Sequence, residues 1–89
     1  MVPGRERVQV ANVSDRAGAP DHRLRRFGAS LKKRREEAGL TAEALAERAG
    51  VGLRQLARVE AGRASPSLVW LWAVAEALDL EIAELLKRP

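Results

Sequence analysis

The chain has 89 residues, with 16 lysines and arginines, 12 aspartates and glutamates, and a formal net charge of +4. This length supports one small domain, and the lack of cysteine excludes disulfides and thiolate chemistry. The single histidine, His22, has no neighbours at metal-ligand spacing, and no apolar run is long enough to span a membrane or act as a signal peptide. We therefore expect a cytoplasmic protein that holds no metal or other cofactor.

Residues 1–20 are predicted to form an N-terminal arm. Pro3, Gly4, Gly18 and Pro20 interrupt this stretch, which shows no helical period. The arm is expected to be flexible or held by a partner, and residues 21–89 are expected to form the folded domain.

The first helix is predicted over residues 21–38, since Pro20 suits a first turn and Gly39 is a natural stop. This helix has an apolar stripe, and Arg35 lies beside that stripe and not on the opposite side of the helix. A cation at the edge of a core needs a buried anion, and Glu60 lies at the matching edge of a later helix, so we predict that Arg35 and Glu60 form an ion pair. The stripe itself consists of Leu24, Phe27, Leu31 and Ala38.

Residues 41–62 contain two short helical patterns joined by a turn at Gly50, Val51 and Gly52, which is typical of a helix-turn-helix. Thr41 is the expected N-cap of the first of the two. Gly62 is expected to end the second in a left-handed conformation. The predicted inward-facing residues of the pair are Leu45, Ala46, Ala49, Leu56 and Val59.

Arg54 and Arg58 fall together on the outer side of the third predicted helix, residues 53–61. Two parallel guanidinium groups suit an acceptor-rich surface such as the major groove of DNA. The alternative is an ordinary solvated face, since most charged helix faces contact only solvent and bind no partner. Arg63, in the loop that follows, is a candidate phosphate contact.

The charge distribution supports the first alternative. Residues 25–63 contain ten basic and five acidic side chains, a net +5, whereas residues 64–86 contain four acidic side chains and no basic one, a net −4. Such polarity orients a protein on a polyanion. No basic amphipathic helix has an unburied apolar face, so we expect nucleic acid and not a membrane as the partner.

The fourth helix is predicted over residues 67–78 and is apolar on nearly every side. Its expected inward residues are Leu68, Leu71, Trp72, Ala75 and Leu78. Its outward face should be polar but carries apolar residues at helical spacing, so we predict a dimer interface formed by Val69, Trp70, Ala73 and Ala77. The alternative is that Trp70 lies on its own domain.

A short fifth helix, residues 81–86, is expected to bury its apolar side chains. These are Ile82, Leu85 and Leu86.

Over residues 27–86, the sequence resembles the phage repressor and Cro family, the Xre-type helix-turn-helix regulators. The resemblance rests on an ordered array of residues at family spacing. These are Arg35 to Gly39, Leu40, Thr41, Leu45, Ala46, Ala49 to Val51, Leu56, Val59, Glu60, Gly62, Arg63, Pro66 to Leu68, Leu71, Ala75, Ala77 and Leu78.

The resemblance implies an all-α, five-helix lambda-repressor-like domain in which residues 53–61 form the recognition helix. It assigns base reading to Leu53, Arg54, Gln55 and Arg58. It assigns phosphate contacts to Thr41, the backbone at Ala42 and Gly62, and Arg63, and it also pairs Arg35 with Glu60. Two positions depart from the family pattern: Ala42 stands where many members have glutamine, and Gly52 stands where many have serine or threonine.

The leading interpretation is a bacterial or phage transcription regulator that binds a palindromic double-stranded DNA operator as a homodimer, associated with the nucleoid. In that case the arm could reach the minor groove through Arg5, Arg7 or Arg16, or pair as a strand across the dimer. The alternative is a protein-binding adaptor or antitoxin-like module on the same scaffold. An enzyme is not expected, because the chain lacks a paired-carboxylate pocket and a phosphate-cradling glycine loop.

Overall fold

Five helices follow one another in the computed structural model, which describes residues 21–87. They are α1 (His22–Glu37), α2 (Ala42–Ala49), α3 (Leu53–Glu60), α4 (Leu68–Ala77) and α5 (Ile82–Leu86). The described residues include no strand. The predicted all-α, five-helix fold is therefore confirmed, whereas the N-terminal arm and its Arg5, Arg7 and Arg16 lie outside the described residues. No helix in residues 21–87 is long and apolar enough to cross a membrane.

Side-chain caps explain where three of the helices begin. The carboxylate of Asp21 accepts a hydrogen bond from the backbone N–H of Arg23, and the Thr41 hydroxyl accepts one from Ala44 at 3.0 Å. The Ser67 hydroxyl accepts one from the backbone N–H of Trp70. Each of these bonds satisfies an N–H group that has no partner inside the helix. α3 differs, because Gly52 at its N-cap has no side chain to offer.

The first four helices all end in the same hydrogen-bonding motif. After α3, the N–H of Gly62 donates to the carbonyl of Val59, and the N–H of Arg63 donates to the carbonyl of Arg58 at 2.8 Å. This pattern is a Schellman motif, which requires a left-handed residue after the cap. Gly62 supplies it with φ of 75°. The motif turns the chain back sharply, so that the five helices pack around one core.

The core draws at least one fully buried side chain from each helix. α3 packs against α1 and α2, α2 also packs against α4, and α5 packs against α4 and α1. The fully buried apolar residues are Leu31, Leu45, Leu56, Val59, Val74 and Leu85. Because α3 takes part through Leu56 and Val59, its opposite side faces solvent.

The orientation of α4 differs from the prediction. Trp70 and Ala77, expected on the outer face, are buried, with Trp70 only 6% exposed, whereas Leu68 and Trp72, expected inside, are about half exposed or more. Val69 is exposed as expected. Because α4 is apolar on nearly all sides, its periodicity does not indicate which face is buried, and packing against α2 decides it.

Two further burial predictions are wrong. Ala38 was expected in the stripe of α1 but is exposed, because it is the C-cap residue and lies where the chain leaves the helix. Leu86 is also exposed, because it lies in the last turn of α5, where only Leu85 reaches the core.

Candidate nucleic-acid interface

The outer side of α3 presents all four of the predicted base-reading side chains. Leu53, Arg54, Gln55 and Arg58 are all exposed. On the opposite side, Leu56 and Val59 are almost completely buried and hold the helix against the core. A short helix anchored in this way can project two long cationic side chains from a backbone that is held by its packing against the core.

An ion pair holds the end of α3 to α1. Arg35 Nε donates to Glu60 Oε2 at 2.7 Å, and Arg35 Nη2 donates to Glu60 Oε1 at 3.0 Å. A third bond runs from Arg35 Nη1 to the carbonyl oxygen of Leu40 at 2.9 Å. The hydrogen bonds with Glu60 are the main reason that the pKa of Arg35 is raised above its ordinary value. The pairing of these two residues agrees with the prediction from helix angles.

A close backbone contact also joins α1 to α3, and the sequence prediction missed it. A Cβ atom added at Gly28 would collide with the backbone carbonyl oxygens of Val59 and Glu60. α1 therefore crosses the end of α3 at a distance that only glycine permits. The available signal was a glycine on the apolar stripe, three residues before Leu31.

Arg58 and Arg63 lie next to each other at the end of α3. The backbone N–H of Arg63 bonds to the carbonyl of Arg58, and Arg58 Nη2 donates to the carbonyl oxygen of Arg63 at 3.4 Å. Both side chains are exposed. Gly62 between them lies against α1, where an added Cβ would be 2.7 Å from the Cα of Arg25. The loop thus carries Arg63 in a defined position beside a candidate base-reading residue.

The start of α2 offers hydrogen-bond donors to solvent. Thr41 is exposed, and its oxygen already accepts a bond from Ala44, which leaves its O–H group free to donate. The backbone N–H of Ala42 lies in the first turn, where helices have no internal acceptor. Such a helix terminus attracts anions. Ala42 itself is half-buried, so only its backbone could take part.

Residues 21–87 hold no group of histidine, cysteine, aspartate and glutamate side chains suited to a metal ion. The exposed side of α3, together with Arg63 and the start of α2, instead offers cations, an amide and backbone donors. These groups bind phosphates and base edges.

The sequence matches the helix-turn-helix family over residues 31–85. It is 44% identical over 54 residues to an uncharacterised HTH-type transcriptional regulator of Methanothermobacter thermautotrophicus, covering 61% of this chain and 78% of that protein. Together with the fold, these matches define the class of protein. The chain belongs to the helix-turn-helix family of transcription regulators, and within it to the Xre, or Cro/C1, type.

Solved structures of bacterial regulators share the fold. The restriction-modification controller protein C.AhdI from Aeromonas hydrophila superposes with a TM-score of 0.68 at 39% identity, covering 70% of this chain and 94% of that one. The clp gene regulator ClgR from Corynebacterium glutamicum gives a TM-score of 0.69 at 31% identity, covering 75% and 71%.

Proposed function

We propose that this protein is a sequence-specific transcription regulator that binds a palindromic double-stranded DNA operator as a homodimer. The observation that carries the proposal is the geometry of α3, whose Arg54 and Arg58 project into solvent while the helix is held from behind. In this role α3 lies in the major groove, and the protein acts at the nucleoid.

The exposed residues of α3 are suited to contact different bases. Arg54 and Arg58 are suited to donate two hydrogen bonds each to guanine, and Gln55 is suited to adenine. Leu53 would contact a thymine methyl group. Thr41, the backbone N–H of Ala42, the backbone at Gly62 and the side chain of Arg63 would bind phosphates on either side and set the register of the protein.

The homodimer would use the exposed face of α4. Leu68, Val69 and Trp72 are adjacent at helical spacing, and all three are exposed. Val69 is retained from the interface predicted from sequence and Ala73 lies half-buried at its edge, but Trp70 and Ala77 belong to the core. A twofold axis would place the two copies of α3 about 34 Å apart, one helical turn of DNA.

Selection from random duplex DNA, together with the solution mass, tests this function. We expect an enriched palindrome and a dimer. Raising the salt concentration from about 50 to 200 mM should weaken binding steeply, by roughly 10³-fold if six phosphates are contacted. No enrichment, or an affinity that does not depend on salt, would contradict the proposal.

Arg58→Ala tests base reading against simple loss of charge, with Lys33→Ala as the matched control. Lys33 is exposed on the side of α1 away from the core, so removing it changes the net charge equally. We expect Arg58→Ala to lose about 1–3 kcal/mol on the selected operator and to relax one base preference. Equal losses for both variants on every sequence would show that Arg58 does not read a base.

The exposed apolar face of α4 also supports a second candidate, an adaptor or antitoxin-like module that binds another protein. α3 has no side-chain cap at Gly52, and Ala42 offers no side-chain hydrogen bond, so two polar groups near the proposed DNA surface are missing. A gel shift with the DNA upstream of the protein's own gene separates the two functions. An adaptor would bind that DNA only weakly and without preference, and Trp72→Ser would abolish its capture of the partner.

A further inference from the structure

A groove of about 420 Å³ lies on the side of the domain formed by α1, α4, α5 and the loop before α4. This volume is within the range of about 300–1,000 Å³ that is typical of small-molecule sites. None of the residues of α3 that face solvent lines the groove, so it is separate from the proposed base-reading surface.

The walls of the groove are apolar and incompletely covered. Phe27 and Leu71 pack against the core but remain partly accessible, Leu24 is half-buried, and Leu86 is 56% exposed. Pro66 completes the wall from the loop. A hydrocarbon chain laid along these side chains would remove apolar surface from water, which favours binding.

The remaining lining residues are cations and hydroxyls, with no carboxylate among them. Arg23, Arg26 and Lys87 line the groove. Arg23 is already paired with Asp21 at 3.0 Å, but Arg26 and Lys87 form no ion pair within residues 21–87. The groove therefore has a positive edge that is complementary to a negatively charged head group.

A buried hydroxyl group lies beside this positive edge. Ser30 lines the groove and is only 4% exposed, and its Oγ has no hydrogen-bond partner in the described part of the chain. Ser30 follows Arg26 by four residues on α1, so the two side chains are neighbours on the helix surface. The Oγ itself is almost inaccessible, so the exposed Arg26 and Lys87, and not Ser30, are placed to meet a charged head group.

We propose that this groove binds an aliphatic carboxylate. Its hydrocarbon chain lies on Leu24, Phe27 and Leu71, and its carboxylate accepts hydrogen bonds from Arg26 and Lys87. Charge-assisted hydrogen bonds of this kind are stronger than neutral ones, so the head group confers selectivity and the chain confers affinity.

Binding would also affect the proposed DNA contacts, and this consequence rests on the proposed function. Ser65 and Pro66 line the groove two and three residues after Arg63, and Gly62 lies against Arg25 of α1. A ligand that bridges α1 and this loop would contact the segment that carries Arg63. Its effect on operator affinity is therefore a separate readout from binding itself.

Calorimetric titration of the purified protein with octanoate, below its micelle concentration and without DNA, tests the binding. We expect one ligand per chain. Going from hexanoate to octanoate to decanoate should tighten binding by up to about fourfold per methylene, equivalent to about 0.8 kcal/mol each. The neutral octanol should bind at least tenfold more weakly, since it lacks the charge-assisted hydrogen bonds, which differ by about 1.4 kcal/mol or more from neutral ones.

Variants locate the site. Arg26→Gln combined with Lys87→Gln should weaken octanoate binding by about tenfold or more. Lys33→Gln, an exposed cation of α1 outside the groove, should leave binding unchanged. Equal binding of octanol and octanoate, equal affinity in the double variant and Lys33→Gln, or no saturable binding would overturn the proposal.

The solution mass distinguishes a second occupant. If Leu86→Asn prevents a dimer from forming, and octanoate neither binds to that dimer nor dissociates it, the groove is a contact between copies of this chain and the proposal is wrong. Because the titration needs no DNA, a failure of octanoate to bind would leave the proposed regulator function intact. Likewise, a failure to bind the operator would not contradict the proposal that the groove binds an aliphatic carboxylate.

Discussion

Removing Arg35 should destabilise the domain more than removing any other cation of α1. Its side chain is 10% exposed and that of Glu60 is 9% exposed, and together they form two hydrogen bonds. A third hydrogen bond satisfies the carbonyl of Leu40. Arg35→Ala would leave a buried carboxylate and a carbonyl without donors.

The expected decrease in the free energy of unfolding follows from these unpaired groups. Breaking a buried ion pair by removing one partner costs about 3–5 kcal/mol, because the charge that remains is uncompensated. A domain of this size is stable by only about 5–15 kcal/mol in total. We therefore expect Arg35→Ala to remove a large fraction of the stability and to leave part of the population unfolded near physiological temperature.

The assay is urea unfolding followed by far-ultraviolet circular dichroism. The double variant Arg35→Met with Glu60→Leu removes both charges and should recover most of the loss, since an apolar replacement of a buried pair is often neutral. Arg23→Ala is the matched control, because Arg23 pairs with Asp21, the N-cap residue of the same helix, but is 61% exposed. This variant should lose far less stability, as is usual for surface pairs. If Arg35→Ala is no more destabilising than Arg23→Ala, the buried pair does not hold α3 in place.

Four further variants have expected outcomes. Gly28→Ala places a Cβ against the backbone of α3 and should cost about 1–3 kcal/mol in the same urea assay; an unchanged midpoint would contradict the close crossing of the two helices. Trp70→Ala should cost about 3–5 kcal/mol, because Trp70 is buried in the core. Trp72→Ala, on the exposed face of α4, should leave monomer stability nearly unchanged but weaken dimer formation in sedimentation; similar stability losses for the two variants would refute the orientation of α4. The pKa of Asp21 is lowered to about 2, chiefly by its hydrogen bond from the Arg23 side chain. The ionised carboxylate therefore stabilises α1 above about pH 3.8, and that contribution is lost as the pH falls towards 2. Asp21→Asn should remove this acid-dependent step from a circular dichroism titration, and an identical titration in both proteins would rule out the cap as its source.

The local elements were predictable because short-range chemistry specifies them. Thr41 was placed as a cap from its hydroxyl group, and Gly62 was placed as a left-handed helix end from its freedom to adopt positive φ. The two arginines of α3 could be assigned to its outer side because that helix has a clear apolar face. Each of these conclusions needs only a few neighbouring residues.

The Arg35–Glu60 pair was predictable for a related reason. Both residues lie at the edge of a well-defined apolar stripe, and a buried cation requires a nearby anion. Gly28 was not recognised, because its importance depends on how closely α1 and α3 approach each other. No spacing along the chain encodes that distance.

α4 shows which features follow from the local sequence and which depend on tertiary packing. Its residues alone predict that this segment is a helix, where it begins, and that it is too apolar to lie free in water. Which side is buried, with Trp70 in the core and Trp72 exposed, depends on packing within the whole domain. A helix with apolar residues on every side has no preferred inner face of its own, so the shape of the surface provided by α2 and α5 selects the side that is buried.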